Sequence, residues 1–247
     1  MSEQIGVVIP CYNEYKRLDV SRFTAFLETH AQITICFVND GSSDDTITVL
    51  NQLKGKFQSQ VMVLDNVHNM GKAESVRKGL NHFVQGPVKF EMIGFLDADL
   101  STSLEQYYKL CVFLREHSLK AVFGSRIKRL GSIIQRSPAR HYIGRVFATL
   151  IGKITKLPIY DSQCGAKVFE ASYLPQILLE PFRTKWLFDV ELILRMMNVL
   201  GPSTMTDKVY EYPLDRWIEV GDSKISSTQF ARIPLELLRV YKISLKK

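Results

Sequence analysis

Residues 92–101 read MIGFLDADLS, an apolar run that breaks directly into two aspartates, Asp97 and Asp99. Met92–Leu96 reads as a strand. Four more β-rich runs occur in the same half, at Ile5–Ile9, Ile33–Val38, Val61–Leu64 and Ala121–Phe123. Amphipathic stretches separate them. In Lys72–Val84, for example, Ala73, Val76, Leu80, Phe83 and Val84 fall on one helical face. Thr102 and Glu105, three positions apart, read as a capping box opening a helix through Tyr107, Leu110 and Leu114. Strands alternating with helices imply an α/β fold, with a mostly parallel sheet covered by helices on both faces.

Ligands of such sheets sit beyond the carboxyl ends of the strands. Four of the runs end there in polar or acidic residues. The first runs into Pro10-Cys11-Tyr12-Asn13-Glu14 and the second ends at Asn39-Asp40-Gly41-Ser42-Ser43-Asp44-Asp45. The third is followed by Asn69-Met70-Gly71-Lys72, and the fourth ends at Asp97-Ala98-Asp99. A single acidic loop is ordinarily a turn or a helix cap. Four on one rim point to a ligand site. Carboxylates at i and i+2 on a turn can converge on one hard divalent cation, Mg²⁺ or Mn²⁺. Such a cation would bridge a diphosphate and offset the charge that grows on it as it leaves.

The second half is less regular. Tyr142–Ile154 reads as an amphipathic helix and Ala166–Phe169 as a short strand. Trp186–Leu200 reads as a helix stopped by Gly201-Pro202, Val209–Tyr212 as a strand, and Gln229–Leu245 as a closing helix. The apolar face of that last helix, Phe230, Ile233, Leu237, Val240 and Tyr241, reads as core. No repeat or linker interrupts the 247 residues, so one domain is expected. No run approaches the roughly 20 apolar residues of a membrane-spanning helix. The start, MSEQIGVVIP, goes straight into a strand and does not read as a signal peptide.

The four cysteines stand apart with no CxxC pair, which argues for reduced thiols over zinc or disulfides. The five histidines show no metal spacing, and Gly71 belongs to no phosphate-binding glycine loop. A net charge of +7 suits an anionic partner. The basic residues at 128–129, Arg136, Arg140, Arg145 and Lys246-Lys247 are not interleaved with aromatics, which disfavours nucleic acid. Phosphate or an anionic membrane surface fits better.

The motifs VVIPCYNE, VNDGSSDDT, NMGKAESVRKG and LDADLS, in this order and spacing, resemble glycosyltransferase family 2. GSRI, QRSPAR, DSQCGAKVF, WLFDVELILR and RWIEVGDSKIS narrow the resemblance to the polyprenyl- or dolichyl-phosphate β-glucosyltransferases, with dolichyl-phosphate mannose synthases nearby. The resemblance implies a GT-A fold, a Rossmann-like three-layer sandwich, over 1–247. Residues 1–124 would bind the nucleotide-sugar, expected to be a UDP-hexose, and residues 125–247 the acceptor. Pro10, Tyr12, Glu14 and Asp40 would line the nucleoside pocket, with Lys72, Asp97 and Ala98 near the diphosphate. Asp99 would be the principal metal ligand, with Asp97 close by. Asp161, Gln163, Asp189 and Glu191 would surround sugar and acceptor, and Trp217 and Lys224 belong to a closing element. Ser125, Arg126, Arg136 and Arg140 match positions that hold the acceptor lipid's phosphate.

The implied reaction is a single displacement with inversion at the anomeric carbon, in which a cation and Lys72 stabilise departing UDP. A phosphate acceptor is largely dianionic at neutral pH and needs no strong base. A sugar hydroxyl would need Asp189 or Glu191 as base. The expected acceptor is a polyprenyl phosphate, used by an enzyme peripheral to the cytoplasmic face of a membrane. A soluble or lipid-linked glycan is the alternative acceptor, and a non-catalytic nucleotide-sugar-binding protein the third reading.

Overall fold

The computed structural model describes residues 4–135, 138–220 and 227–245. Seven strands form one sheet: β1 (Ile5–Cys11), β2 (Ile33–Asn39), β3 (Val61–Asp65), β4 (Met92–Leu96), β5 (Ala121–Ser125), β7 (Ala166–Glu170) and β8 (Val209–Pro213). Their order is β3-β2-β1-β4-β7-β5-β8. Every neighbouring pair is parallel except those of β7, which runs against both β4 and β5. A second, two-stranded parallel sheet joins β6 (Ile133–Gln135) to β9 (Arg216–Ile218). The helices are α1 (Val20–Thr29), α2 (Thr46–Lys56), α3 (Lys72–Gln85), α4 (Leu104–Glu116), α5 (Pro138–Thr155), α6 (Leu174–Ile177), α7 (Phe188–Lys208) and α8 (Ser227–Ser244).

Strands β2, β4 and β5 are buried at every residue, as strands covered on both faces must be. Successive side chains point to opposite faces. Val7 and Ile9 accordingly join Phe23 of α1, Leu50 of α2 and Leu110 of α4 on one side. Val8 joins Val76 and Leu80 of α3 and Leu192 of α7 on the other. A smaller third cluster lies between α5, α7 and α8, built from Ile151, Leu187, Val190, Leu194 and Val240. The expected layers are therefore present, with one strand reversed.

Three local expectations change. Helix α4 is capped by Ser103, which accepts from the Gln106 amide, and Thr102 stands one residue outside, buried. Ser103 and Gln106 satisfy the same spacing rule one position on. Gly201 leaves helical geometry at φ 79°, but the chain resumes as helix to Lys208 before entering β8. Proline suits the first turn of that second segment, where its missing N–H has no intrahelical partner to lose. The closing helix buries Ile233 and Val240, while Tyr241 is exposed. The side chain of Phe230 lies outside the described residues.

Gly94 sets how closely β4 and β7 meet. A Cβ there would overlap the Lys167 carbonyl oxygen and the Tyr107 hydroxyl. The carbonyl cannot retreat without disturbing the β4–β7 ladder. Gly94→Ala should destabilise the fold by about 1–3 kcal/mol, the usual cost of overpacking. Urea denaturation measures this, and an unchanged midpoint would mean that the strands shift freely.

Candidate active site

The loops following β1 and β2 are tied to each other before any ligand arrives. Asn13 takes φ 51°, a left-handed conformation that asparagine tolerates. Its backbone N–H donates to Ser42 Oγ at 3.0 Å, and its side-chain oxygen accepts from the Ser43 amide at 2.9 Å. The Glu14 amide donates to Thr46 Oγ1, and the Tyr15 amide to Asp44. Pro10 pairs in register with Val38, Tyr12 is exposed, and Glu14 is buried. These residues share one rim, as the spacing implied.

Asp40 is 3% exposed, and its carboxylate is heavily used. Oδ1 accepts from the Met70 amide at 2.8 Å and from Asn66 Nδ2 at 3.0 Å, while Oδ2 accepts from the Gly71 amide at 2.8 Å. Asp40 thus holds the loop that leads into α3. Gly41, at φ 64°, lies so close to His68 and Asn69 that no side chain fits. Lys78 donates to Asn66 Oδ1, which fixes Asn66 in turn.

The centre of the rim is charged. Lys72 Nζ lies 2.5 Å from Asp97 Oδ1. Burial lowers the Lys72 pKa, but the carboxylates of Asp97, Asp189 and Asp99 outweigh it, so the ammonium stands above the usual lysine range. Asp97 is positioned by backbone: its amide donates to the Gly165 carbonyl at 2.9 Å, and a Cβ at Gly165 would overlap its carboxylate. Ala98 is buried beneath the turn. Asp99 Oδ1 accepts from the Ser101 amide at 3.0 Å. Arg17 reaches Asp99 Oδ2 at 3.4 Å and donates to the Val220 carbonyl at 3.1 Å.

Because β7 runs backwards, the segment before it, DSQCG, arrives on the same rim as the ends of the parallel strands. Lys167 is 0% exposed, lies against the rings of Phe95 and Phe123, and donates to the Cys164 carbonyl at 2.7 Å. It also donates to Asp189 Oδ1 at 2.6 Å. Asp189 therefore joins the charged centre with a cation already bound.

The remaining candidates divide. Arg126 donates through Nε and Nη2 to both oxygens of Asp161 at 2.6 Å, and its guanidinium lies 5.3 Å from the Trp217 ring centroid. Burial lowers its pKa, but Asp161 outweighs this and leaves it raised. Asp161 is held in turn by Glu211, whose carboxylate accepts from the Tyr160 and Asp161 amides at 2.7 Å. Burial pushes the Glu211 carboxyl upward against those two bonds. Ser125 is buried, and its Oγ finds no hydrogen-bond partner among the described residues. Gln163 donates to the Trp186 carbonyl at 3.3 Å. Glu191 is 1% exposed and accepts from the Arg183 and Thr184 amides, the Thr184 hydroxyl and Arg195. It braces the turn before α7. Arg140 lies in α5 with its side chain outside the described residues, and Arg136 and Lys224 also lie outside them.

Arg17, Gly165, Lys167 and Glu211 were not singled out from the sequence. Lys167 falls within the DSQCGAKVF motif but nothing there marks it out from its neighbours, and the glutamate within VYEYP carries no periodic or motif signal. Only the partners that the fold brings to them reveal a role.

The sequence profile of glycosyl transferase family 2 matches residues 6–178. A dolichyl-phosphate beta-glucosyltransferase of Trichomonas vaginalis is 30% identical over 251 residues, covering 94% of this chain and 69% of that protein. One of Drosophila melanogaster is 30% identical over 240 residues, covering 91% and 70%. Among solved structures, glucosyl-3-phosphoglycerate synthase from Mycobacterium tuberculosis, in complex with Mn²⁺, UDP and glucosyl-3-phosphoglycerate, matches with TM-score 0.69 at 14% identity. That match covers 98% of this chain and 80% of the other. A mannosyltransferase from Pyrobaculum calidifontis, in complex with GDP-Man and Mn²⁺, matches with TM-score 0.63 at 17% identity, over 100% and 65%. At such identities the structural likeness speaks for the fold, which is GT-A. Profile and relatives together place this chain in glycosyl transferase family 2.

Proposed function

We propose that the chain transfers a hexose, glucose on the evidence of its relatives' names, from a UDP-sugar to a dolichyl-type polyprenyl phosphate. The observation that carries this reading is Lys72 set among Asp97, Asp99 and Asp189 on the carboxyl rim of the sheet. Residues 1–124 then serve the donor and residues 125–247 the acceptor. The two tied loops, Pro10, Tyr12, Glu14 and Asp40 shape the nucleoside end.

Asp97 and Asp99 fit a hard divalent cation. They are two partly exposed carboxylates on one turn, with oxygens of the type Mg²⁺ and Mn²⁺ prefer. The cation's other oxygens would come from the diphosphate and water. When bound, the cation supplies positive charge against the leaving diphosphate. Lys72 then trades Asp97 for a diphosphate oxygen. A phosphate oxygen of the acceptor bonds to the anomeric carbon as the bond from that carbon to UDP breaks, and UDP leaves with the electron pair.

The acceptor side favours phosphate over a glycan hydroxyl. Glu191 is saturated with donors and Asp189 is paired to Lys167, so neither is a ready base. A dianionic phosphate brings its own nucleophile. Arg126 offers it a guanidinium whose fork Asp161 keeps in place, assisted by Ser125, Arg136 and Arg140. The lipid would approach along α5 and α8. Val146, Leu150, Leu238 and Tyr241 are exposed there beside Arg145, Lys153 and Lys242, and the one acidic residue of the two helices, Glu236, is buried. That pattern suits peripheral contact with an anionic, cytoplasmic-side bilayer surface. No described helix is long and apolar enough to cross a membrane.

Three outcomes follow. UDP should bind about tenfold more tightly with Mn²⁺ than with EDTA, a typical coupling between two sites. Asp99→Asn should abolish that difference in calorimetry, and equal affinity in both conditions would remove the metal from the reading. Arg126→Lys should cut transfer of labelled glucose to a short dolichyl phosphate in detergent by roughly ten- to a hundred-fold, the cost of a charged hydrogen bond. UDP affinity should stay within about twofold, because the point charge loses only the fork. Near-normal transfer would shift weight to the glycan acceptor. Leu238→Glu with Tyr241→Glu should weaken co-sedimentation with phosphatidylserine-containing vesicles, and unchanged sedimentation would exclude this face as the contact.

A further inference from the structure

Helix α7 carries Asp189 in its first turn yet has no cap of its own. Its N-cap residue is Leu187, whose side chain makes no capping hydrogen bond. The buried amides of the turn that leads into it need acceptors, and the helix end beside them is electropositive. The acceptor comes from far away in sequence. Glu236, in the middle of α8 and 7% exposed, takes three consecutive backbone N–H groups. Oε1 accepts from Lys185 at 3.1 Å, and Oε2 from Trp186 at 2.9 Å and Leu187 at 2.8 Å.

This turn borders the site on two sides. The Trp186 carbonyl accepts from Gln163 in the DSQCG turn, and the Trp186 ring meets Phe147 of α5 edge-on at 5.3 Å. Two residues beyond Leu187 stands Asp189, paired to Lys167 and close enough to Lys72 to raise its pKa. Glu191 holds the preceding residues Arg183 and Thr184. Two buried carboxylates thus fix residues 183–187, one from within α7 and one supplied by α8.

We propose that Glu236 is a positioning residue, a latch by which α8 grips the turn leading into α7 and so holds Asp189 and Gln163 in place for the transfer reaction. The proposal rests on the function proposed above and adds to it. Glu236 then influences the reaction without touching a substrate. The donor loops are tied independently of this latch, so their affinity is unaffected by it.

The test uses the full chain with Glu236→Gln and Glu236→Ala. The amide oxygen of glutamine can still accept from Trp186 and Leu187, but its NH₂ faces the Lys185 amide as a second donor. Alanine leaves all three N–H groups without an acceptor. Hydrogen–deuterium exchange should rise over residues 183–190, more in Glu236→Ala than in Glu236→Gln, and stay unchanged over residues 5–40. With UDP-glucose and a short dolichyl phosphate in detergent, kcat should fall about a hundredfold in Glu236→Ala, the scale of misplacing a site group by about an ångström. Glu236→Gln should recover part of that loss, and donor KM should stay within about twofold in both. Raised exchange with normal kcat would overturn the proposal, because the latch would not reach the site. Unchanged exchange would overturn it too, as would parallel loss of UDP affinity and melting temperature. If the wild-type chain moves no glucose to dolichyl phosphate, the function reading fails and with it the latch's role in transfer, while unchanged exchange over residues 183–190 would overturn the latch itself.

Discussion

One buried ammonium, that of Lys167, joins the parts of this molecule that must act together. It projects from β7, the reversed strand between β4 and β5, into a space walled by Phe95 and Phe123. A charge with no access to water survives only when paired and hydrogen-bonded. The Cys164 carbonyl and the Asp189 carboxylate meet that need, so the DSQCG turn and the start of α7 are drawn to one point. Removing either charged partner from such a pair typically costs about 3–5 kcal/mol, because the other is left uncompensated. The demand to satisfy Lys167 is therefore also what places Asp189 beside Lys72.

The electrostatics of the rim follow from that placement. Asp97, Asp99 and Asp189 gather around Lys72, with Lys167 below and Arg17 beside Asp99. The three carboxylates offset Lys72, Lys167 and Arg17, so the cluster alone carries little net positive charge with which to receive a diphosphate. In the proposed reading, a divalent cation held by Asp97 and Asp99 would supply that positive charge, and Lys72 could turn from Asp97 to the diphosphate. The same reasoning explains Gly165: any side chain there would push Asp97 out of its place.

The two halves are held differently. In residues 1–124, short backbone and side-chain bonds cross between the loops after β1 and β2, and Asp40 pins the loop before α3. In residues 125–247, carboxylates do the holding: Glu211 for the Tyr160–Asp161 turn, Glu191 and Glu236 for residues 183–187. Asp161 then aligns Arg126. Long-range carboxylate latches make that half dependent on elements distant in sequence, above all on α8.

The strands, the alternating layers and the acidic rim were legible in the sequence, because periodicity and turn chemistry are local and each segment carries its own record. Asp97-Ala98-Asp99, Lys72 and the loops after β1 and β2 could be placed on the rim for the same reason, while the roles expected of them came from the resemblance to glycosyltransferase family 2. The exchange of Thr102 for Ser103 as cap, and the resumption of helix after Gly201, were near misses of the same local rules. Other matters were settled by tertiary structure alone. The reversed direction of β7 brings DSQCG to the rim from the opposite sense of the chain. Glu191, adjacent in sequence to the site residues, is consumed by backbone amides, whereas Lys167, Glu211 and Glu236, unremarkable in sequence, hold the site together. A side chain's role in a buried polar network depends on which unsatisfied group the fold sets opposite it, and the backbone amides that Glu191, Glu211 and Glu236 satisfy lie from 7 to 51 residues away.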